Sequence, residues 1–291
     1  MSELTTHTLH VPGAVLTYDV RRNESNSQPA LLLIGSPMTA DGFAALAGHF
    51  PDRTVVTYDP RGVGRSPRAD GATASTPEEH AGDLHALISA LGAGLVDLFG
   101  SSGGAVNALA LVARHPEQVR TLVAHEPPAA AVVLSDRELV LAACVDIRET
   151  YERSGFGPAM AKFIALVSIQ GPLPPDYGAR PAPDPATFGL PTHDDGSRND
   201  PLLGPHMVWV TRCQLDFDAL RAVPTRIVLG VGAESAEMMP GRAAAAVARE
   251  LGTKPVIFPG GHGGFQGNGH GQPGGPDAFA ATLRQVLAAA N

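Results

Sequence analysis

Six short apolar runs, each closing on glycine, aspartate or glutamate, constrain this chain more than any other feature: ALLLIG (Ala30 to Gly35), TVVTYD (Thr54 to Asp59), LVDLFG (Leu95 to Gly100), TLVAHE (Thr121 to Glu126), RIVLGVG (Arg226 to Gly232) and PVIFPG (Pro255 to Gly260). Runs of this length, apolar throughout, read as strands buried on both faces, which is the habit of parallel sheets. VLTYDV (Val15 to Val20) alternates instead and reads as an early antiparallel strand. The pieces between, TPEEHAGDLHALISALGA, AVNALALVARHPEQ and GRAAAAVARELG, space their apolar residues as helices do. Thr76-Pro77 and Pro240 mark starts, and Gly92 and Gly252 mark stops. Strand and helix in alternation predict an α/β fold with a doubly wound, mostly parallel sheet.

The rhythm breaks between Ala129 and His206. ELVLAACVDIRETYERSGFGPAMAKFIALV reads as two helices, and a proline-rich polar segment, QGPLPPDYGARPAPDPATFGLPTHDDGSRNDPLLGP, follows. A stretch that long without its own pattern points to a lid. The expected division is therefore a core of residues 1–128, an inserted helical cap over 129–206, and a second part of the core over 207–291.

Charge and composition exclude several roles. With 21 Lys plus Arg against 29 Asp plus Glu, the formal charge is −8, and no long basic run offers a surface for nucleic acid or an anionic membrane. The first ten residues lack a secretory layout and no apolar stretch approaches the roughly 20 residues of a membrane span. A cytoplasmic protein is expected, with no metal site predicted from Cys144 and Cys213, which read as ordinary buried residues. A homodimer is left open.

GSSGG, from Gly100 to Gly104, fits Gly-X-Ser-X-Gly in one register, with Ser102 at the centre and Ser101 as a turn residue. That pattern suits a tight strand-to-helix turn which lifts a serine hydroxyl off the sheet edge, next to a helix N-terminus that favours negative charge. A hydroxyl is a weak nucleophile and needs a base, and the base needs an acid to orient it. His262, in FPGGHGGF just past the last run, is the candidate base, with His270 as runner-up. His7, His10, His49, His80, His85, His115 and His193 read most simply as surface residues. Glu234, in GVGAES, is the candidate acid, giving the order serine, acid, histidine; Glu126, which ends TLVAHE, is the alternative. An acyl-transfer site also requires two N–H donors for an oxyanion. Gly103 follows the serine, and Ser36 is favoured for the second because Pro37 has no N–H, with Met38 as fallback. Met38, His125, His206 and Trp209 are candidates for the substrate pocket.

Taken together these motifs resemble the α/β-hydrolase fold superfamily, in the form of a single-domain bacterial serine hydrolase with a helical cap. The matching segments are LLLIGSPMTADGF for the oxyanion loop, VVTYDPRGVGRSPR for an Asp-X-Arg-Gly-X-Gly-X-Ser turn (Asp59, Arg61, Gly62, Gly64 and Ser66), LFGSSGGA for the nucleophile elbow, LVAHEPP before the cap, and GVGAES and FPGGHGGF for acid and histidine. Two positions depart: Ile34 stands where many relatives carry histidine, and the acid is glutamate where aspartate is commoner. The resemblance implies a cofactor-free enzyme, a serine esterase or related hydrolase, that cleaves an ester, lactone or related acyl bond of a small molecule. The same fold hosts carbon–carbon bond hydrolases, cofactor-free oxygenases, lyases and non-catalytic ligand-binding proteins, which are the alternatives.

Overall fold

A computed structural model describes residues 4–23, 28–267 and 275–289. In chain order the elements are β1 (Leu4–Val11), β2 (Ala14–Arg21), β3 (Leu31–Ile34), α1 (Ala44–Gly48), β4 (Val55–Tyr58), α2 (Pro77–Leu91), β5 (Val96–Ser101), α3 (Gly103–Arg114), β6 (Val119–His125), α4 (Ala130–Val133), α5 (Arg137–Ser154), α6 (Phe156–Val167), α7 (Pro205–Arg212), α8 (Phe217–Ala222), β7 (Arg226–Gly232), α9 (Met239–Glu250), β8 (Val256–Phe258) and α10 (Pro276–Ala288). The strands form one eight-stranded sheet in the order β1-β2-β4-β3-β5-β6-β7-β8. It is parallel from β4 to β8 and antiparallel at the β1 and β2 edge. Every predicted strand is present. β1 lacked a signal because its residues alternate between half-buried and exposed, with none fully covered.

Burial on both faces explains the apolar runs. Along β3, Leu31 and Leu33 enter one core layer with Phe43, Phe99, Phe258 and Phe279, while Leu32 and Ile34 enter the other with Leu84, Leu98 and Leu109. Asp97, the charged residue in β5, is fully buried and is held by Arg53 at 2.7 Å and by Arg120 at 2.6 and 2.9 Å. Helix α2 begins where the sequence predicts, through a reciprocal capping box between Thr76 and Glu79, and stops at Gly92 with φ 60°.

Helices α4 to α7 build a third apolar cluster above the sheet, in which Val140, Ile147, Leu166 and Met207 meet Met239 and Ala243 of α9. The expected return to the core after residue 206 falls inside α7, whose Met207 and Val208 belong to the cap cluster and whose Val210 belongs to the core. The proline-rich segment is tied down. Arg242 of α9 pairs with Asp136 and donates to the Gly171 carbonyl at 2.7 Å, Leu173 N–H donates to Asp136 at 2.8 Å, and Asp200 N–H donates to the Tyr151 hydroxyl at 2.8 Å. No helix among the described residues is long and apolar enough to cross a membrane.

Candidate active site

The carboxyl ends of β5, β6, β7 and β8 gather the candidate residues on one edge of the sheet, where open α/β sheets place their sites. Ser102 links β5 to α3 with φ 56° and ψ −127°, a strained conformation for a residue with a side chain. Its neighbours make that turn sterically feasible. A Cβ on Gly100 would sit 3.0 Å from the Ala105 backbone, and one on Gly104 would sit 2.7 Å from the Ile34 carbonyl. The Ser102 N–H donates to the His125 carbonyl at 2.9 Å, which ties the turn to the end of β6. Ser101 stays in the strand, buried, paired with His125.

His262 follows β8 in a glycine-rich turn. Its Nδ1 lies 2.6 Å from Oε2 of Glu126. The acid placed on this histidine is thus Glu126 and not Glu234, and the reason is topological. Glu126 directly follows β6, the strand next to β5, with φ 49° turning it back over the sheet edge. The end of β7 and the turn after it meet the same carboxylate: Gly232 N–H donates to Glu126 Oε1 at 2.8 Å and the Ser235 hydroxyl donates to it at 2.5 Å. Glu234 itself is exposed, its N–H bonded to the Gly260 carbonyl at 3.0 Å. His270, the runner-up base, lies outside the described residues.

Glu126 is fully buried, and burial alone would push its carboxyl up. The hydrogen bond from His262, the adjoining imidazoles of His262 and His125, and the Ser235 hydroxyl together outweigh that and hold it below the usual range. The group is therefore an anion that accepts on both oxygens, so Nδ1 of His262 carries hydrogen, which leaves Nε2 as the nitrogen that can take up a proton. Ser235 is the residue that sequence reading missed; a serine just past a strand end carries no signal by itself. Ser235→Ala is expected to lower kcat about tenfold, in keeping with a lost hydrogen bond to a charged group. Because that bond lowers the Glu126 pKa, its loss should move the acid limb of the kcat/KM profile upward, as rate assays across pH would record.

Ser102, Gly103, Ser36 and His262 line a cavity of about 280 Å³ closed by Phe163, Leu166, Val167, Met207 and Met238. Ser36 and Gly103 thus line the same cavity as the serine. Of the four residues expected in the substrate pocket, His206 lines this cavity and the other three do not. Met38 packs between Gly35, Gly42 and Gln266, where its thioether accepts from the Gln266 amide at 3.5 Å. His125 lies beneath the site inside a cage of Phe99, Phe258, Phe265 and Phe279, where burial pushes it down to about 4, against the pull of Glu126. Trp209, 44% exposed, faces a neighbouring polar pocket. His80, expected at the surface, is buried beside His206. Cys144 lines the cavity as a buried thiol that burial pushes up to about 11.

The Asp59 turn supports the segment that follows β3 and stays out of the cavity. Asp59 accepts from Ala40 N–H at 2.9 Å and from Arg65 N–H at 2.8 Å, and Ser66 donates to the Asp59 carbonyl at 2.7 Å.

A strained serine at a strand-to-helix turn, a histidine bonded to a buried carboxylate and an eight-stranded, mostly parallel sheet define the hydrolase class of α/β proteins. Residues 29–156 match the family described as alpha/beta hydrolase fold, and the chain belongs to that family. An uncharacterized hydrolase of Bacillus subtilis (strain 168), YraK, is 33% identical to it over 266 residues, covering 89% of each chain. Among solved structures, a thermophilic esterase from Thermogutta terrifontis superimposes with a TM-score of 0.65 at 19% identity, covering 98% of both chains. The enol-lactonase from Burkholderia xenovorans LB400 also gives 0.65 at 19% identity, over 97% of this chain and 100% of its own.

Proposed function

We propose that this chain is a serine hydrolase that cleaves an ester, lactone or related acyl bond of a small molecule, with Ser102 as nucleophile, His262 as base and Glu126 as the acid. The observation that carries the reading is the 2.6 Å bond between His262 Nδ1 and a fully buried Glu126, in a site where His262 shares one cavity with the strained Ser102. An esterase and a lactonase among the similar structures fit it.

In the cycle, Ser102 Oγ attacks the acyl carbon while its proton passes to His262 Nε2. Glu126 holds Nδ1–H and balances the imidazolium that forms. The tetrahedral oxyanion accepts from the N–H groups of Gly103, at the start of α3, and of Ser36, just after β3. Collapse breaks the bond to the leaving oxygen, which takes the proton from His262. Water then attacks the acyl-enzyme and gives a proton to His262, and collapse of the second tetrahedral intermediate breaks the bond to Ser102 Oγ, which takes that proton back as the acid leaves.

The small, largely apolar cavity favours compact acyl groups. Turnover of p-nitrophenyl esters of graded chain length, with lactones alongside, should peak at short to medium acyl chains. Hydrolysis of none of them above the uncatalysed rate would count against the reading.

A further inference from the structure

α3 runs from the serine elbow to His115, so its far end stands roughly 20 Å from Ser102 at 1.5 Å of rise per residue. Three groups that can ligate a metal collect there. His85 projects from the middle of α2, His115 closes α3, and Glu117 lies in the short turn Pro116–Gln118 that leads into β6. One ligand atom from each lies within 4.8 Å of those of the other two, with both histidines half-buried and the glutamate exposed. His115 Nδ1 and Glu117 Oε1 are 3.6 Å apart. That is long for a hydrogen bond but near the roughly 3.3 Å between two ligands held at about 2.0 Å on one tetrahedral ion.

The way His85 is held supplies an independent observation. The Gln118 amide nitrogen donates to the His85 carbonyl at 3.2 Å and to the Ser89 hydroxyl at 2.9 Å, while that hydroxyl gives its own proton to the same carbonyl at 2.8 Å. Both partners therefore accept, which fixes the amide the right way round. Its oxygen faces His85 Nδ1 at 3.0 Å, so Nδ1 carries hydrogen and, in the neutral ring, the lone pair falls on Nε2. Metal-ligating histidines are oriented in this manner, the spare N–H being donated to a fixed carbonyl. The carbonyl end of α3 adds partial negative charge beside His115, which favours a cation. The two imidazoles stack with centroids 3.8 Å apart and planes at 21°. Stacked rings cannot both aim an in-plane lone pair at one ion, so the His115 ring, which has no side-chain hydrogen bond among the described residues, is the one that turns.

We propose that His85, His115 and Glu117 bind a divalent transition ion, zinc foremost, which ties the middle of α2 to the end of α3 and to the turn before β6. Two imidazoles and one carboxylate suit zinc better than calcium or magnesium, which take mainly oxygen ligands, and water completes the coordination. The ion takes no part in acyl transfer and does not depend on the hydrolase reading. Its ligands come together only when the three elements are folded against one another, so binding stabilises the native chain.

The test titrates ZnCl2 into untagged, metal-stripped protein by calorimetry. Wild type is expected to take up one ion per chain with a low-micromolar Kd, and both His115→Asn and the exposed Glu117→Gln should weaken that binding by at least about tenfold. Gln118→Ala removes no ligand, yet it is expected to cost about ten- to a hundredfold, because it frees the His85 ring. At a hundredfold excess of free zinc over Kd the wild-type Tm should rise by about 5 °C and return on addition of EDTA, with no rise in His115→Asn. Circular dichroism of the metal-free variants checks that each is folded. Absence of a stoichiometric site in wild type overturns the proposal. So does binding that survives His115→Asn and Glu117→Gln, since the ion then sits elsewhere, or an affinity unchanged in Gln118→Ala, since His85 is then not held for it.

Discussion

Glu126→Gln is expected to lower kcat/KM by about a thousand- to ten-thousandfold with the fold intact, while Glu234→Gln stays within about twofold of wild type. The size of the first effect comes from hydrogen-bond direction. Oε1 of Glu126 receives the Gly232 N–H and the Ser235 hydroxyl, so a glutamine must put its carbonyl oxygen there and its NH2 toward His262. Nδ1 then accepts, Nε2 carries the proton, and the imidazole can no longer take one from Ser102. Glu234 is exposed to solvent. Steady-state kinetics of the two variants on any ester the wild type cleaves would check this, and equal losses would reject it. The outcome hinges on one carboxylate.

Ser102→Ala carries the other large effect. Removing the hydroxyl should reduce turnover by about ten-thousandfold or more, leaving only what the oxyanion donors and binding supply. Stability should change little, because the backbone bond from residue 102 to the His125 carbonyl remains in place. Thermal melts beside the rate measurement would separate chemistry from unfolding.

The sheet was legible in sequence because parallel strands are buried on both faces, so runs such as Leu31 to Ile34 and Val96 to Phe99 stand out with little polar interruption. Ser102 was legible for a steric reason: Gly100 and Gly104 have no space for a Cβ, and that requirement is written as a pentapeptide. His262 followed from its place after the last strand. The acid was not fixed in this way. Glu126 and Glu234 both follow a strand, both lie between Ser102 and His262 in the chain, and both carry the same group. What separates them is lateral position in the sheet and the direction each turn faces, which depend on β6 lying against β5 and on Ser235 filling the place beside the carboxylate. Neither is local in sequence. His206 and Trp209 show the same limit within one helix, where a spacing of three residues sends one ring to the cavity and the other to the polar pocket alone. Burial of His80 was likewise invisible, since a histidine on an amphipathic helix gives no sign of which face it joins.

Active-site labelling asks the deciding question, whether Ser102 is the nucleophile of an acyl-transfer site. Folded wild-type protein treated with a fluorophosphonate, digested and mapped by mass spectrometry should carry one adduct, on Ser102, and His262→Ala should slow its formation sharply. An adduct absent from Ser102 in folded protein, or formed on another residue instead, would rule Ser102 out as the nucleophile.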